Sequence, residues 1–406
     1  MALNDCREVY FKEAIFGVRV ETYIIMVHIM ANRTFVFITV LCLAVALITL
    51  NCCQSSGIQP DFNERALSFS FTDTASYRIV QLETPEGLQT GTINELLFDG
   101  DLIFTIDYSE SFAVSVFNSE GKYLSGIYQS SSEPVNSGEY HRSKLSFDLD
   151  RKRKEIILYD VLAASLLRFT YNGQFLNETK LVEYRGSEFA YLGDDRYAFW
   201  MNNDSEYQVL ITDSTGVQIS GYHYIDPKYS GVISALPGFF SKGEEEGVYY
   251  IPIWEDAVYS ITTSGIRKVF DLGFKHKIVG TSEEISLLES GQLQDKYSCF
   301  YSLFVTRNNH FYAGIRYLGD MMDETIGIPL HVFGSITDGK TEAGIIRTST
   351  TEFRKYGFGI GYPNGVKGDY FVRVLPGTIV RDALPDYVTG EVNGSSRFLF
   401  FYRISL

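Results

Sequence analysis

Apolar and polar residues along this chain alternate with period two over short runs, and the runs are separated by polar, glycine-bearing turns. Ala257, Tyr259 and Ile261 alternate with Val258, Ser260 and Thr262, after which Thr263-Ser264-Gly265 supplies a turn. Ile266, Lys268, Phe270 and Leu272 then begin a second alternating run. Side chains of a strand point to opposite faces in turn, so this spacing predicts a β-hairpin with Gly265 at the position of positive φ.

The same phrase recurs six times. Asp99-Gly100-Asp101, the run Asp150 to Lys154, Gly193 to Arg196, Lys242 to Gly247, Arg307-Asn308-Asn309 and Lys367-Gly368-Asp369 are polar turns, each followed by an apolar strand. Successive turns lie roughly 40 to 65 residues apart, the period of propeller blades with four antiparallel strands. The second hairpin of each unit keeps a register. Asp107 is followed at +7 and +9 by Val114 and Val116, Asp160 by Leu167 and Phe169, Asn202 by Val209 and Ile211, and Pro252 by Tyr259 and Ile261. Outer turns follow at Asn118 to Gly121, Asn172-Gly173, Asp213 to Gly216, Thr263 to Gly265 and Thr337 to Gly339. The expectation is an all-β, six-bladed β-propeller over residues 62–406, with four-stranded antiparallel blades.

Two departures from the phrase carry their own readings. Thr281 to Gly291 predicts one short helical insertion between blades four and five, with Thr281 and Glu284 as a capping box and Gly291 as the stop. Tyr317 to Glu324 extends a loop within blade five. At the ends, Ala66 to Phe71 and Tyr77 to Val80 read as strands before blade one, and Arg397 to Ile404 as the last strand. Pairing between the first and last strands would close the ring and leave no open edge.

The N-terminus is of another kind. Thr34 to Leu50 is an uncharged apolar run of 17 residues, preceded by Asn32-Arg33 and followed by Cys52-Cys53-Gln54-Ser55-Ser56-Gly57. A short basic region, an apolar run and a cysteine with a polar tether read as a lipoprotein signal over 30–53, with tether 54–61. Cys53, with Leu50 three residues upstream, is the better acylation position, and Cys52 is the alternative. A retained membrane anchor is the competing reading, since 17 residues approach the length of a spanning helix. Residues 1–29 carry mixed charge (Asp5, Arg7, Glu8, Lys12, Glu13, Arg19 and Glu21) and read as a non-native or cytoplasmic leader, with Met26 and Met30 as alternative starts.

Composition narrows the function classes. The 406 residues are 45% hydrophobic and 15% aromatic, enough for a large β-rich core. The net charge of −15 leaves no basic face to track a phosphate backbone, so nucleic acid is not an expected partner. The five cysteines (Cys6, Cys42, Cys52, Cys53 and Cys299) form neither a zinc pattern nor a disulfide framework. None of the six histidines sits in H-E-x-x-H, and no G-x-S-x-G elbow occurs. Asp148/Asp150 and Asp194/Asp195 are acidic pairs that read as solvated turn residues, and Arg151 to Lys154 as a solvated, locally neutralised basic run. No catalytic residue, metal or cofactor is therefore assigned. Trp200, Trp254, Tyr249, Tyr250 and Tyr312 are candidate binding-face aromatics, with packing between blades as the other account.

The lipoprotein signal, D-x-V-Y-x-I at Asp256 to Ile261 and F-D-L-G-F at Phe270 to Phe274 together resemble the TolB-like six-bladed β-propeller lipoproteins of Gram-negative bacteria, several families of which are domains of unknown function. The resemblance implies a propeller in the cell envelope, in the outer membrane or facing the periplasm. It supplies no catalytic residues. The expected protein is a monomeric binding or scaffold module, held to the membrane by its lipid, for a protein, peptide or glycan. The rival is a propeller enzyme of lyase or glycoside hydrolase type with its site at the channel mouth.

Overall fold

The computed structural model describes residues 77–84, 91–107, 113–128, 145–182, 186–201, 205–225, 240–244, 247–253, 255, 257–271, 286, 298–317, 330–337, 340–346, 363–383, 392 and 395–403. They form six four-stranded antiparallel sheets. Blade one comprises β2 (Ile93–Asp99), β3 (Leu102–Asp107), β4 (Ala113–Asn118) and β5 (Tyr123–Ile127). Blade two comprises β6 (Leu145–Asp150), β7 (Glu155–Asp160), β8 (Ser165–Thr170) and β9 (Phe175–Lys180). Blade three comprises β10 (Glu188–Gly193), β11 (Arg196–Trp200), β12 (Tyr207–Thr212) and β13 (Gln218–Tyr224). Blade four comprises β14 (Ser241–Lys242), β15 (Val248–Tyr250), β16 (Ala257–Thr262) and β17 (Gly265–Asp271). Blade five comprises β18 (Ser298–Val305), β19 (His310–Tyr317), β20 (Leu330–Thr337) and β21 (Lys340–Ile346). In blade six, β22 (Gly365–Lys367), β23 (Tyr370–Pro376) and β24 (Arg397–Tyr402) are completed by β1 (Tyr77–Leu82).

All six polar turns read from the sequence join the first and second strands of their blades, so they gather at one end of the propeller axis. The outer turns at 118–121, 172–173, 213–216 and 263–265 join third and fourth strands, as expected, while 338–339 lies outside the described residues. The ring closes where the sequence places the closure, with Tyr77 opposite Tyr402 and Leu82 opposite Arg397 in the β1–β24 pair. Blade one grips the closing strand as well. The Glu83 amide donates to the Gly121 carbonyl at 2.8 Å. Gly121 has φ +84°, and a Cβ there would stand 2.1 Å from the Gln81 carbonyl oxygen, so only glycine fits.

The core is divided among blade interfaces because each sheet has two apolar faces. Val114, Val116, Leu167 and Phe169 share one cluster between blades one and two, and Val209, Ile211 and Ile261 another between blades three and four. The +7/+9 positions thus face blade interfaces, toward the next blade in blades one and three and toward the preceding blade in blades two and four. Blades five and six meet through rings, with Phe333 5.7 Å from Phe371 and 6.3 Å from Tyr402.

The helix expected over 281–291 lies outside the described residues except for helical Ser286, as do the candidate strand 66–71 and residues 1–61 with Cys52 and Cys53. The described helix is α1 (Gly377–Ala383), between β23 and β24, which the sequence reading does not anticipate. It seats Val380 in full burial, and the Gly377 amide is held by the Ser396 carbonyl at 2.8 Å.

Candidate functional site

Two places gather charge: the propeller axis and the rim of its turn-bearing end. At the axis, Lys242 ends the first strand of blade four, yet its side chain is buried. Nζ donates to Glu95 Oε1 at 3.0 Å, to the Phe147 carbonyl at 2.8 Å and to Ser146 Oγ at 3.3 Å. An ammonium has three donors, and all three are used. One lysine thereby ties blade four to blades one and two across the axis. Glu188 of blade three faces the same ammonium and accepts the Phe240 amide at 2.9 Å. Asp148 accepts the Tyr191 amide at 2.8 Å and its own neighbour's amide, Leu149, at 2.8 Å.

Three carboxylates around one ammonium compete for its charge. Burial pushes the Glu188 carboxyl up to about 7; Lys242 pulls against this and the Glu95 charge reinforces it. Burial also raises Glu95, against the pull of Lys242. For Lys242, burial alone would lower the ammonium, but Glu95, Asp148 and Glu188 outweigh it and the net movement is upward. Lysine is therefore the fixed charge of the cluster, and Glu188 the group that titrates near neutrality.

The turn-bearing end is laced shut around the axis. Arg151 of blade two donates to the Gly243 carbonyl of blade four at 2.6 Å and to the Phe98 carbonyl of blade one at 3.2 Å. Lys154 pairs with Asp99 at 2.6 Å, and Arg153 with Asp195 at 2.9 Å. Glu244 Oε2 accepts the Gly368 amide of blade six at 2.7 Å and pairs with Arg307 of blade five at 3.4 Å. The Arg307 amide in turn donates to the Gly368 carbonyl at 3.0 Å.

Beside these turns opens a pocket of about 390 Å³, lined by Arg78, Arg307, Lys367, Arg403, Tyr370 and Phe401, with Glu244 and Asp369 as its acids. Two of its guanidinium groups lie over aromatic rings. Arg403 lies 4.1 Å from the Tyr370 ring centroid and Arg78 5.5 Å from that of Phe401, while the two rings meet edge to face at 6.4 Å. Arg78 also donates to the Ser119 carbonyl.

The sequence-derived candidates fall elsewhere. Trp200, Tyr250 and Tyr312 are buried between blades; Trp200 packs edge to face on Tyr250 at 6.1 Å and Tyr312 on Phe333 at 5.0 Å. Tyr249 is half-buried against the cluster between blades four and five, and Trp254 lies outside the described residues. The described four therefore serve blade packing. Two expectations need correction. Asp148 and Asp150 are not solvated: they are 3% and 1% exposed, because Tyr191, Leu149 and Arg153 supply the donors that let carboxylates be buried. The basic run is neutralised, but by acids of neighbouring blades as well as its own, and Arg151 is half-buried as a crosslink. The sequence reading missed Glu95, Glu188, Lys242 and Lys367. The one local signal was a repeated phrase, Lys-Gly followed by an acid, at Lys242 and Lys367.

Among the described residues no three His, Cys, Asp or Glu side chains group as a metal site. A second polar cluster lies at the opposite end of the blades, where His223 Nδ1 is 3.2 Å from Glu255 Oε1 and the Tyr259 hydroxyl donates to Glu255 Oε2 at 2.7 Å. His223, by its hydrogen bond, holds the Glu255 carboxyl below its ordinary range.

Among solved structures, a candidate exported protein of Bacteroides fragilis NCTC 9343 superposes with a TM-score of 0.61 at 17% identity, over 81% of this chain and 95% of that one. A member of the DUF4221 family from Bacteroides vulgatus ATCC 8482 gives 0.49 at 10% identity, over 81% and 97% of the two chains. No curated protein sequence matches the chain. The first likeness shows the propeller fold. The pattern of the domain of unknown function DUF4934 matches residues 58–382, four-fifths of the sequence, and the chain belongs to that family.

Proposed function

We propose that this chain is an extracytoplasmic β-propeller, anchored by lipid at Cys53 or Cys52, that acts as a binding or scaffold module for a protein, peptide or glycan. The pocket beside the blade-six turn carries the reading: it is open, its walls come from blades four, five and six, and three of its four cations lie over rings. Binding sites are commonly concave, with a few placed polar groups, and this pocket has that form. The apolar run before Cys52-Cys53 and the likeness to a candidate exported protein support the location, and the TolB-like resemblance is compatible with it. Capture from envelope membranes with the detergent-solubilised full chain, followed by identification of what is retained, tests the reading. A specific retained molecule is expected; repeated capture of nothing above a control propeller would sink it. Mass spectrometry of the mature N-terminus tests the anchor, and unmodified Cys52 and Cys53 would remove it.

One observation favours the enzyme reading instead. Glu95 and Glu188 keep partial exposure at the axis, and Glu188 titrates near 7, the range of a general acid or base. Against it, the neighbouring ammonium has no donor left for a substrate. The binding reading is therefore preferred.

A further inference from the structure

We infer that the pocket beside the blade-six turn is an oxyanion site, taking a compact ligand with one or two carboxylate, phosphate or sulfate groups. This rests on the reading of the chain as a binding module and names the chemistry of what that module holds.

The argument begins with charge. The whole chain carries −15, yet among the described residues Arg78, Arg307, Lys367 and Arg403 line this pocket with Glu244 and Asp369, two more cations than acids. Repulsion among cations makes such convergence unfavourable without a counter-charge. The acids present are partly committed: Glu244 Oε2 is taken by the Gly368 amide and Arg307, and Arg403 stands 3.8 Å from Asp369, beyond hydrogen-bond length. Lys367 has no carboxylate partner and no hydrogen bond among the described residues; its ammonium lies 5.6 Å from the Phe98 ring centroid.

Geometry then selects the ligand. A guanidinium stacked on a ring keeps its in-plane N–H donors available and loses little freedom when they engage, which is how arginine recognises planar or tetrahedral oxyanions. Arg403 lies over Tyr370 and Arg78 over Phe401, with one Arg78 donor given to the Ser119 carbonyl and the others left for a ligand. The floor is fixed by the Glu244–Gly368 and Arg307–Gly368 hydrogen bonds, and Gly368 makes the turn at φ +55°. A volume of about 390 Å³ suits a small molecule or the end of a chain. The acidic remainder of the surface repels an extended polyanion, so a compact acid is favoured over a long one.

The test is calorimetric titration of the detergent-solubilised full chain with inorganic phosphate, inorganic sulfate and succinate, at low and at high salt. Saturable binding of at least one is expected, weakening with salt, and the tightest of the three identifies the oxyanion. Lys367→Met and Arg403→Ala should each weaken it about tenfold, whereas Glu244→Gln, which keeps an acceptor for the Gly368 amide, should tighten it. Circular dichroism and a melting curve check that each variant is folded. No saturable binding of any probe, or wild-type affinity in both folded weakening variants, overturns the inference. Envelope capture that survives Lys367→Met and Arg403→Ala also overturns it, while leaving the binding-module reading in place.

Discussion

Lys242 and Lys367 stand at the same place in their blades. Each is the last residue of a first strand, each is followed by glycine and an acid, and each begins an inner turn. Their surroundings are opposite. Lys242 is 5% exposed with every donor satisfied by Glu95, Phe147 and Ser146, whereas Lys367 lies half-buried on the rim over the Phe98 ring, with no hydrogen bond among the described residues. The same local phrase thus yields a strut in one blade and an available cation in another. What separates them is which blades face them across the axis. A buried charge is tolerated only with partners, and inner strands β2, β6 and β10 supply them to Lys242 alone.

Four substitutions measure how far apart the two lysines are. The largest effect is expected at Lys242→Met, which leaves Glu95, Asp148 and Glu188 facing one another without a cation. Removing one partner of a buried pair costs about 3–5 kcal/mol, and urea denaturation at pH 7 would read it. The loss should shrink in acid as the carboxyls take protons; a loss under 1 kcal/mol at neutral pH would remove the distinction between the lysines. Glu188→Gln comes next. Its folded value of about 7 lies above the ordinary 4.5, so its contribution is full below pH 4.5 and is lost as pH rises through 7. A displacement of this size corresponds to at most about 3 kcal/mol. The variant should show a flatter stability profile between those pH values and greater stability at pH 8, with the residual slope from Glu95; an unchanged profile would show that the axis does not titrate there.

Asp195→Asn probes an intermediate case, a pair on the turn-bearing end. The Arg153 hydrogen bond holds Asp195 below its ordinary value of 3.8, so its contribution is present above pH 3.8 and lost as pH falls below it. Both side chains are exposed, and solvent screening limits the pair to under about 1 kcal/mol. Lys367→Met should change stability by no more than about 0.5 kcal/mol, as surface changes usually do. A larger cost would assign Lys367 a structural role like that of Lys242.

The fold was legible because its signals are local. A turn needs polar residues and glycine within a few positions, and third strands place buried apolar residues at fixed offsets from Asp107 and Asp160. The axis was not legible because its contacts are not local: Lys242 meets Glu95 across 147 positions. First strands also break the apolar alternation, since Glu95, Asp148 and Glu188 interrupt otherwise hydrophobic runs. Asp148 and Asp150 sit next to a turn and look solvated in sequence; only the donors from Tyr191 and Arg153 show why they are inside. Aromatic residues misled in the other direction. Trp200, Tyr250 and Tyr312 have the polar tips of binding residues, but a propeller needs large rings between its wedge-shaped blades.

Blade six has a consequence for how the protein comes into being. Its outer strand β1 is the first of the described strands and its neighbour β24 the last, with Tyr77 paired to Tyr402. Until β24 is made, β1 lacks the strand it pairs with, and the last sheet cannot form. Ring closure therefore reports that the chain has been made as far as β24, and a chain cut short before Arg397 is expected to remain protease-sensitive. The joint between β1 and β24 acts as a quality seal on the closed ring.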